Sequence, residues 1–126
     1  MGKKTVLIVD DSSTLRASVE FTLTEAGYDV VQAADGAEGL AALKKFEGRE
    51  SDVGIIITDI NMPNMDGISF IKEVKKTSFK FLPILVLTTE SQDSRKMEGK
   101  EAGASGWLVK PFKPEQLTGV VAKFLG

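Results

Sequence analysis

Val53-Gly54-Ile55-Ile56-Ile57-Thr58-Asp59 is apolar and β-branched for most of its length and ends abruptly in a carboxylate. A continuous run of this kind suits a strand buried on both faces, as in a parallel sheet. The residues that follow, Ile60 to Gly67, are rich in turn formers: Asn61, Pro63, Asn64, Asp66 and Gly67. In open α/β sheets, sites are built where strand ends discharge into loops. Asp59 is therefore the first candidate site residue, and its placement reads as that of a phosphate acceptor.

The flanking chain repeats the pattern. Thr5–Val9 is a second buried strand ending in Asp10-Asp11, after which Ser12 or Ser13 caps a helix. Leu15, Val19, Leu23 and Ala26 keep helical spacing and Gly27 stops that helix. Tyr28–Ala33 is a strand of mixed polarity. Asp35 with Glu38 makes a capping-box variant ahead of a helix carrying Leu40, Leu43 and Phe46. Asp66 caps a third helix whose Ile68, Ile71 and Val74 share a face.

Phe81–Thr88 reads as a fourth strand, with Pro83 near its start. Ser91–Ala102 is a poor helix, with Met97 as its only large apolar residue and Gly99 inside it at a cost of about 1 kcal/mol. We expect this helix to be marginally stable and to move when the site changes state. Gly106–Val109 is a short strand ending at Lys110-Pro111. Pro114 opens a last helix with the stripe Leu117, Val120, Val121 and Phe124.

Five successive βα units imply a (βα)5 doubly wound α/β fold, one domain over residues 1–126, with a parallel five-stranded sheet. The most apolar strands, starting at Thr5, Val53 and Phe81, belong in the centre. The strands at Tyr28 and Gly106 belong at the edges. The order 2-1-3-4-5, shared with flavodoxin, satisfies this.

Composition narrows the chemistry. The 126 residues are 42% hydrophobic and have a formal net charge of -2. A single packed domain is expected, and an acidic pI near 5.2 disfavours DNA binding. The chain has neither cysteine nor histidine, which excludes disulfides, thiolate or imidazole metal sites and Ser-His triads. No apolar run approaches the ~18 residues of a membrane span, and the first residues do not read as a signal peptide, so a cytoplasmic location is expected.

The topology collects Asp10, Asp11, Asp59, Thr88, Thr89 and Lys110 on one rim of the sheet. Two carboxylates about 4 Å apart repel by about 4 kcal/mol at an effective dielectric of ~20. Lys110 answers with one positive charge. Mg²⁺, which takes oxygen ligands and phosphate oxygens, is the natural second. Oxygen ligands, a lysine and a hydroxyl suit phosphoryl transfer, which depends on positioning and charge neutralisation. Asp59 is then the candidate nucleophile, with Asp10 and Asp11 holding the metal. Met62 and Met65 read as packing residues.

Four stretches taken together, Asp10-Asp11, Asp59 to Gly67, Thr88-Thr89-Glu90 and Gly103 to Phe112, resemble response-regulator receiver domains, and the segment around Asp59 resembles the single-domain chemotaxis type. The resemblance spans essentially the whole chain. It implies that Asp59 takes a phosphoryl group from a histidine kinase to become an aspartyl phosphate. It further implies that Asp11, Asp59 and the Asn61 carbonyl bind Mg²⁺ directly, and Asp10 through water. Thr88 and Lys110 then engage the phosphate, Lys110-Pro111 is cis, Trp107 is a switch ring, and Asn61 and Glu90 tune phosphate lifetime.

The chain departs from the pattern at Thr89 (commonly small), at the bulky Trp107 and in a long Glu47–Asp52 connection. The implied output is contact with a protein such as a flagellar motor switch component, since no effector segment follows residue 126. The protein is expected to catalyse only its own phosphorylation and dephosphorylation. Alternatives of the same class are a phosphorelay intermediate or a receiver from a larger regulator. A flavodoxin-like electron carrier would need a bound flavin and stacking aromatics, and a phosphohydrolase would need a substrate-binding insertion; neither set of features is evident in the sequence.

Overall fold

The computed structural model describes residues 4–89 and 93–125. Among them lie five parallel strands in the order β2-β1-β3-β4-β5: β1 Thr5–Val9, β2 Asp29–Ala33, β3 Val53–Thr58, β4 Ile84–Thr88 and β5 Gly106–Val109. The helices are α1 Ser13–Glu25, α2 Gly36–Lys44, α3 Gly67–Val74, α4 Asp93–Ala102 and α5 Pro114–Leu125. The expected order and the central placement of β1, β3 and β4 hold. These three strands are fully buried, whereas β5 is half-buried throughout and β2 only buried at Ala33.

Alternation along the buried strands divides the core into two layers. Leu7, Val9, Ile56, Ile84 and Val86 face α2 and α3. Val6, Ile8, Ile55, Ile57, Leu85 and Leu87 face α1 and α5. The register of β1 on β3 shifts between Thr5 and Val6, so that Gly54 is the extra residue.

The helix starts are capped as expected. Ser12 Oγ accepts from Leu15 N at 3.2 Å, and Asp66 Oδ1 accepts from Ser69 N at 2.9 Å. Asp35 Oδ1 accepts from Glu38 N at 2.9 Å, while Glu38 reaches one residue further back than expected, to Ala34 N. The long connection before β3 contains a 3-10 turn at Glu50–Asp52.

Three expectations need correction. The fourth strand starts at Ile84, not Phe81. Pro83 has no N–H for a ladder, and the chain before it forms a turn that buries Phe79 and Leu82 and leaves Phe81 61% exposed. The α5 stripe is narrower than its spacing suggests. Leu117 and Val121 are buried, Phe124 is partly exposed, and Leu125 instead packs beside Gly54. Ala26 is exposed beyond the end of α1. In addition, α3 buries Phe70 alongside its expected face.

Gly67 marks the tightest backbone approach. A Cβ there would lie 2.0 Å from the Asp59 carbonyl oxygen and 2.7 Å from Ile60 Cα, both backbone atoms that cannot step aside. Gly119, on the exposed side of α5, has nothing within 4 Å of its Cβ position. The two therefore respond oppositely to alanine. Gly67→Ala should lower the unfolding free energy by about 3 kcal/mol, as overpacking does. Gly119→Ala should raise it by about 0.5–1 kcal/mol through helix propensity. Urea denaturation followed by circular dichroism measures both.

Candidate functional site

The site residues sit one step beyond the strands, held by the continuing backbone ladder. Asp10 N donates to Ala33 O at 3.1 Å, Asp59 N to Val9 O at 3.0 Å, and Lys110 N to Thr88 O at 2.8 Å. Each residue thus inherits the position of the neighbouring strand. Thr88, the last residue of β4, is fully buried at the same rim. The sheet brings together the expected set Asp10, Asp11, Asp59, Thr88 and Lys110.

Lys110 Nζ donates to Asp10 Oδ2 at 2.9 Å and to Asp59 Oδ2 at 3.1 Å. The other oxygens are tied to backbone. Asp10 Oδ1 accepts from Ser12 N at 2.8 Å. Asp59 Oδ1 accepts from Ile60 N at 2.6 Å and from Asn61 N at 3.4 Å. Asp10 and Asp59 are buried and Asp11 is exposed. Oxygens of all three acids lie within 4.8 Å of one another.

Burial pushes the Asp10 carboxyl up from its ordinary value, against the Ser12 hydrogen bond and Lys110. Burial alone would lower Lys110, but its hydrogen bonds and charge contacts with Asp10 and Asp59 outweigh that and leave it raised. Lys110 pairs with two of the carboxylates, and Asp11 adds a third acid to the cluster without a lysine partner in the described hydrogen bonds. A hard divalent cation fits this oxygen-only donor set. Asn61 is exposed at the start of the following loop, next to Asp59. Glu90 lies outside the described residues.

The loop after β3 is fastened at its far end. Asn64 has a positive φ of 68°. Its Nδ2 donates to Asp35 Oδ2 at 2.8 Å, tying the loop to the cap of α2. Met65 packs over Gly36, where a Cβ would meet Met65 Sδ at 2.9 Å. Met62 and Met65 both pack on the core, as expected. The Lys110-Pro111 bond is cis.

Trp107 is half-buried and packs on the α2/α3 layer. Its ring explains the glycine inside α4. A Cβ at Gly99 would stand 2.9 Å from Trp107 Cζ3. Met97, by contrast, is 59% exposed, and Gly99 is the sole buried residue among those described in α4. The sequence reading missed two supports of the site, the Asp35–Asn64 bond and Arg16, whose Nη1 donates to Asp10 O at 2.6 Å. The Asn64-to-Asp35 pairing spans 29 positions and leaves no local spacing signal. Arg16 was detectable only as a cation one turn into the helix that follows the acid pair.

By fold and site this is a doubly wound α/β module with an acid cluster and a lysine at the carboxyl rim of its parallel sheet. The chain belongs to the response regulator receiver domain family, whose pattern matches residues 6–122. It is 39% identical over 123 residues to the chemotaxis protein CheY1 of Helicobacter pylori, covering 96% of each chain. It is 40% identical over 119 residues to a segment of the sensor histidine kinase CheAY of the same species, spanning 14% of that protein. The solved chemotaxis protein CheY4 of Vibrio cholerae superposes with a TM-score of 0.90 at 49% identity, covering 98% of this chain and 100% of that one.

The loop anchor yields a pH prediction. The Glu38 N–H and then the Asn64 amide hold Asp35 below its ordinary value of 3.8. The associated stability is present above the unfolded-state value and is lost as pH falls through the folded-state value. Asp35→Asn cannot ionise and lacks that share. Its melting temperature should fall less steeply than the native protein's on acidification below 3.8, as measured by circular dichroism.

Proposed function

We propose that this receiver is a phosphorylation switch of the chemotaxis type, with Asp59 as the phosphoacceptor. The observation that carries the reading is the rim itself: a buried Asp59 with one oxygen on Lys110 and a partner acid pair within 4.8 Å. A phosphohistidine on a histidine kinase is the donor. An Asp59 carboxylate oxygen forms the new O–P bond as the P–N bond to the donor imidazole breaks, and the electron pair leaves with the imidazole nitrogen.

Asp10, Asp11, Asp59 and the Asn61 carbonyl would hold Mg²⁺. The metal, when bound, neutralises charge on the phosphoryl oxygens. Lys110 exchanges its carboxylate contacts for the phosphoryl group, and the Thr88 hydroxyl turns to the same group. Asn61 and Glu90 set how readily water reaches it. The chain catalyses only its own phosphorylation and dephosphorylation.

Output passes through the face of α4, β5 and α5, in the cytoplasm, to a protein such as a flagellar motor switch component. That face carries a 210 Å³ groove between α4 and β5, lined in part by Lys96, Lys100 and Trp107. The similarities to CheY1 and CheY4 support the chemotaxis role. α4 contributes little burial to the core, which suits an element that shifts on phosphorylation.

Trp107 is the chain's sole tryptophan and gives a direct readout. Mixing the protein with Mg²⁺ and a small phosphodonor should change its fluorescence and add one phosphoryl mass. Asp59→Asn should abolish both changes, and an undiminished response in that variant would overturn the assignment. Native amide exchange should be faster over residues 93–102 than in α5, and it should change on phosphorylation.

A further inference from the structure

The Asp10–Asp11 turn is held from behind by a relay of side chains. Arg16, in the first turns of α1, is half-buried. Its Nη1 donates to the Asp10 carbonyl at 2.6 Å, and its Nε donates to Gln32 Oε1 at 2.9 Å. Gln32 Nε2 in turn donates to Glu20 Oε1 at 2.5 Å. Glu20 lies one turn beyond Arg16 on α1, where i and i+4 side chains share a face. Gln32 pairs with Ile8 in the β2–β1 register, which places it on the α1 side of the sheet.

The atom that Arg16 grips matters. The Asp10 carbonyl belongs to the peptide unit joining Asp10 to Asp11. Holding that plane fixes the backbone from which both side chains project: Asp10, buried and tied to Lys110, and Asp11, exposed and without such a restraint on its own side chain among the hydrogen bonds described. A planar guanidinium can make both bonds from fixed directions, which a single ammonium cannot. Partners of this kind behind metal ligands commonly govern affinity without touching the ion.

We propose that Arg16 is a positioning residue for divalent-cation binding, and that Gln32, steadied by Glu20, fixes the orientation of Arg16. The inference rests on the reading of Asp10, Asp11 and Asp59 as the Mg²⁺ site. Geometry and bare charge make opposite forecasts. If Arg16 acted only as a cation near the acids, removing it would tighten Mg²⁺ binding. If it acts by holding the turn, removal weakens binding.

The test is calorimetric titration of the native protein and its variants with MgCl₂, in the absence of any phosphodonor. Arg16→Met keeps the aliphatic stem and loses the donors. Its Kd for Mg²⁺ should rise about tenfold, in line with other supporting residues behind metal ligands. Arg16→Lys, with the charge and a donor retained, should recover part of that loss. Gln32→Leu, at an exposed position where folding is not at stake, should raise Kd about threefold, a share of the same effect. The same change should add nothing in the Arg16→Met background, because one relay is cut twice.

An Arg16→Met Kd equal to or below the native value overturns the proposal. So does Arg16→Lys matching Arg16→Met, or a Gln32→Leu effect of equal size in both backgrounds. Should Arg16→Met fail to fold, Gln32→Leu decides alone, and an unchanged Kd there overturns the relay. A native protein that binds no Mg²⁺ would instead remove the underlying reading of the site.

Discussion

One ammonium between two buried carboxylates is the interaction on which this structure turns. Lys110 reaches Asp10 at 2.9 Å and Asp59 at 3.1 Å from the far side of the sheet. Burying a carboxylate is costly unless it is paired and hydrogen-bonded. The pairing here is incomplete, because Asp11 adds a third acid within 4.8 Å of the others and burial still raises Asp10. The fold therefore carries an electrostatic imbalance at one rim. A well-packed apolar layer on each face of the sheet offsets it. The same imbalance is what makes the rim receptive to an added cation, so affinity for one and stability without one are set against each other.

Precision at the rim comes from the backbone, not from the acids themselves. The ladder bonds from Asp10 N, Asp59 N and Lys110 N carry the sheet's register one residue past β1, β3 and β5. Behind Asp59 the chain turns so tightly that Gly67 N donates to Ile60 O at 2.7 Å, with no room for a Cβ. The Asp35–Asn64 bond and the contact of Met65 with Gly36 then pin the loop against the start of α2. Arg16 does the corresponding work for the turn after β1. Two adjacent loops are thus braced by the helices that follow β1 and β2.

The parts legible in the sequence were those encoded by local pattern. Runs such as Val6 to Val9 and Ile55 to Ile57 announced buried strands, and the acid or lysine at the end of each strand gave the rim. The succession of βα units, right-handed crossovers and the greater apolarity of three strands then sufficed for the strand order. Where two local signals competed, the reading slipped. Phe81 and Leu82 looked like strand, but Pro83 follows them, and the chain turns first to bury Phe79 and Leu82. Side-chain relays were invisible because their partners are far apart, as Arg16 and Gln32 are, or because the residue types, Asn64 and Asp35, are ordinary in turns. Gly99 looked like a defect in α4 until the ring of Trp107 was found against it.

That last contact bears on how the rim is linked to the opposite end of α4. Trp107 pairs with Val86 in the β4–β5 register, two residues before Thr88. Its ring rests where α4 lacks a side chain, while the other described residues of α4 are largely turned to solvent. The helix packs mainly along α3 and meets β5 chiefly through this ring. A ligand moves a conformational equilibrium only through different contacts in the two states. Any difference between two states that involved Trp107 would reach α4 at the Gly99 notch, where a Cβ would stand 2.9 Å from the ring. The glycine that weakens the helix by about 1 kcal/mol is then the same feature that lets the β5 ring lie against α4.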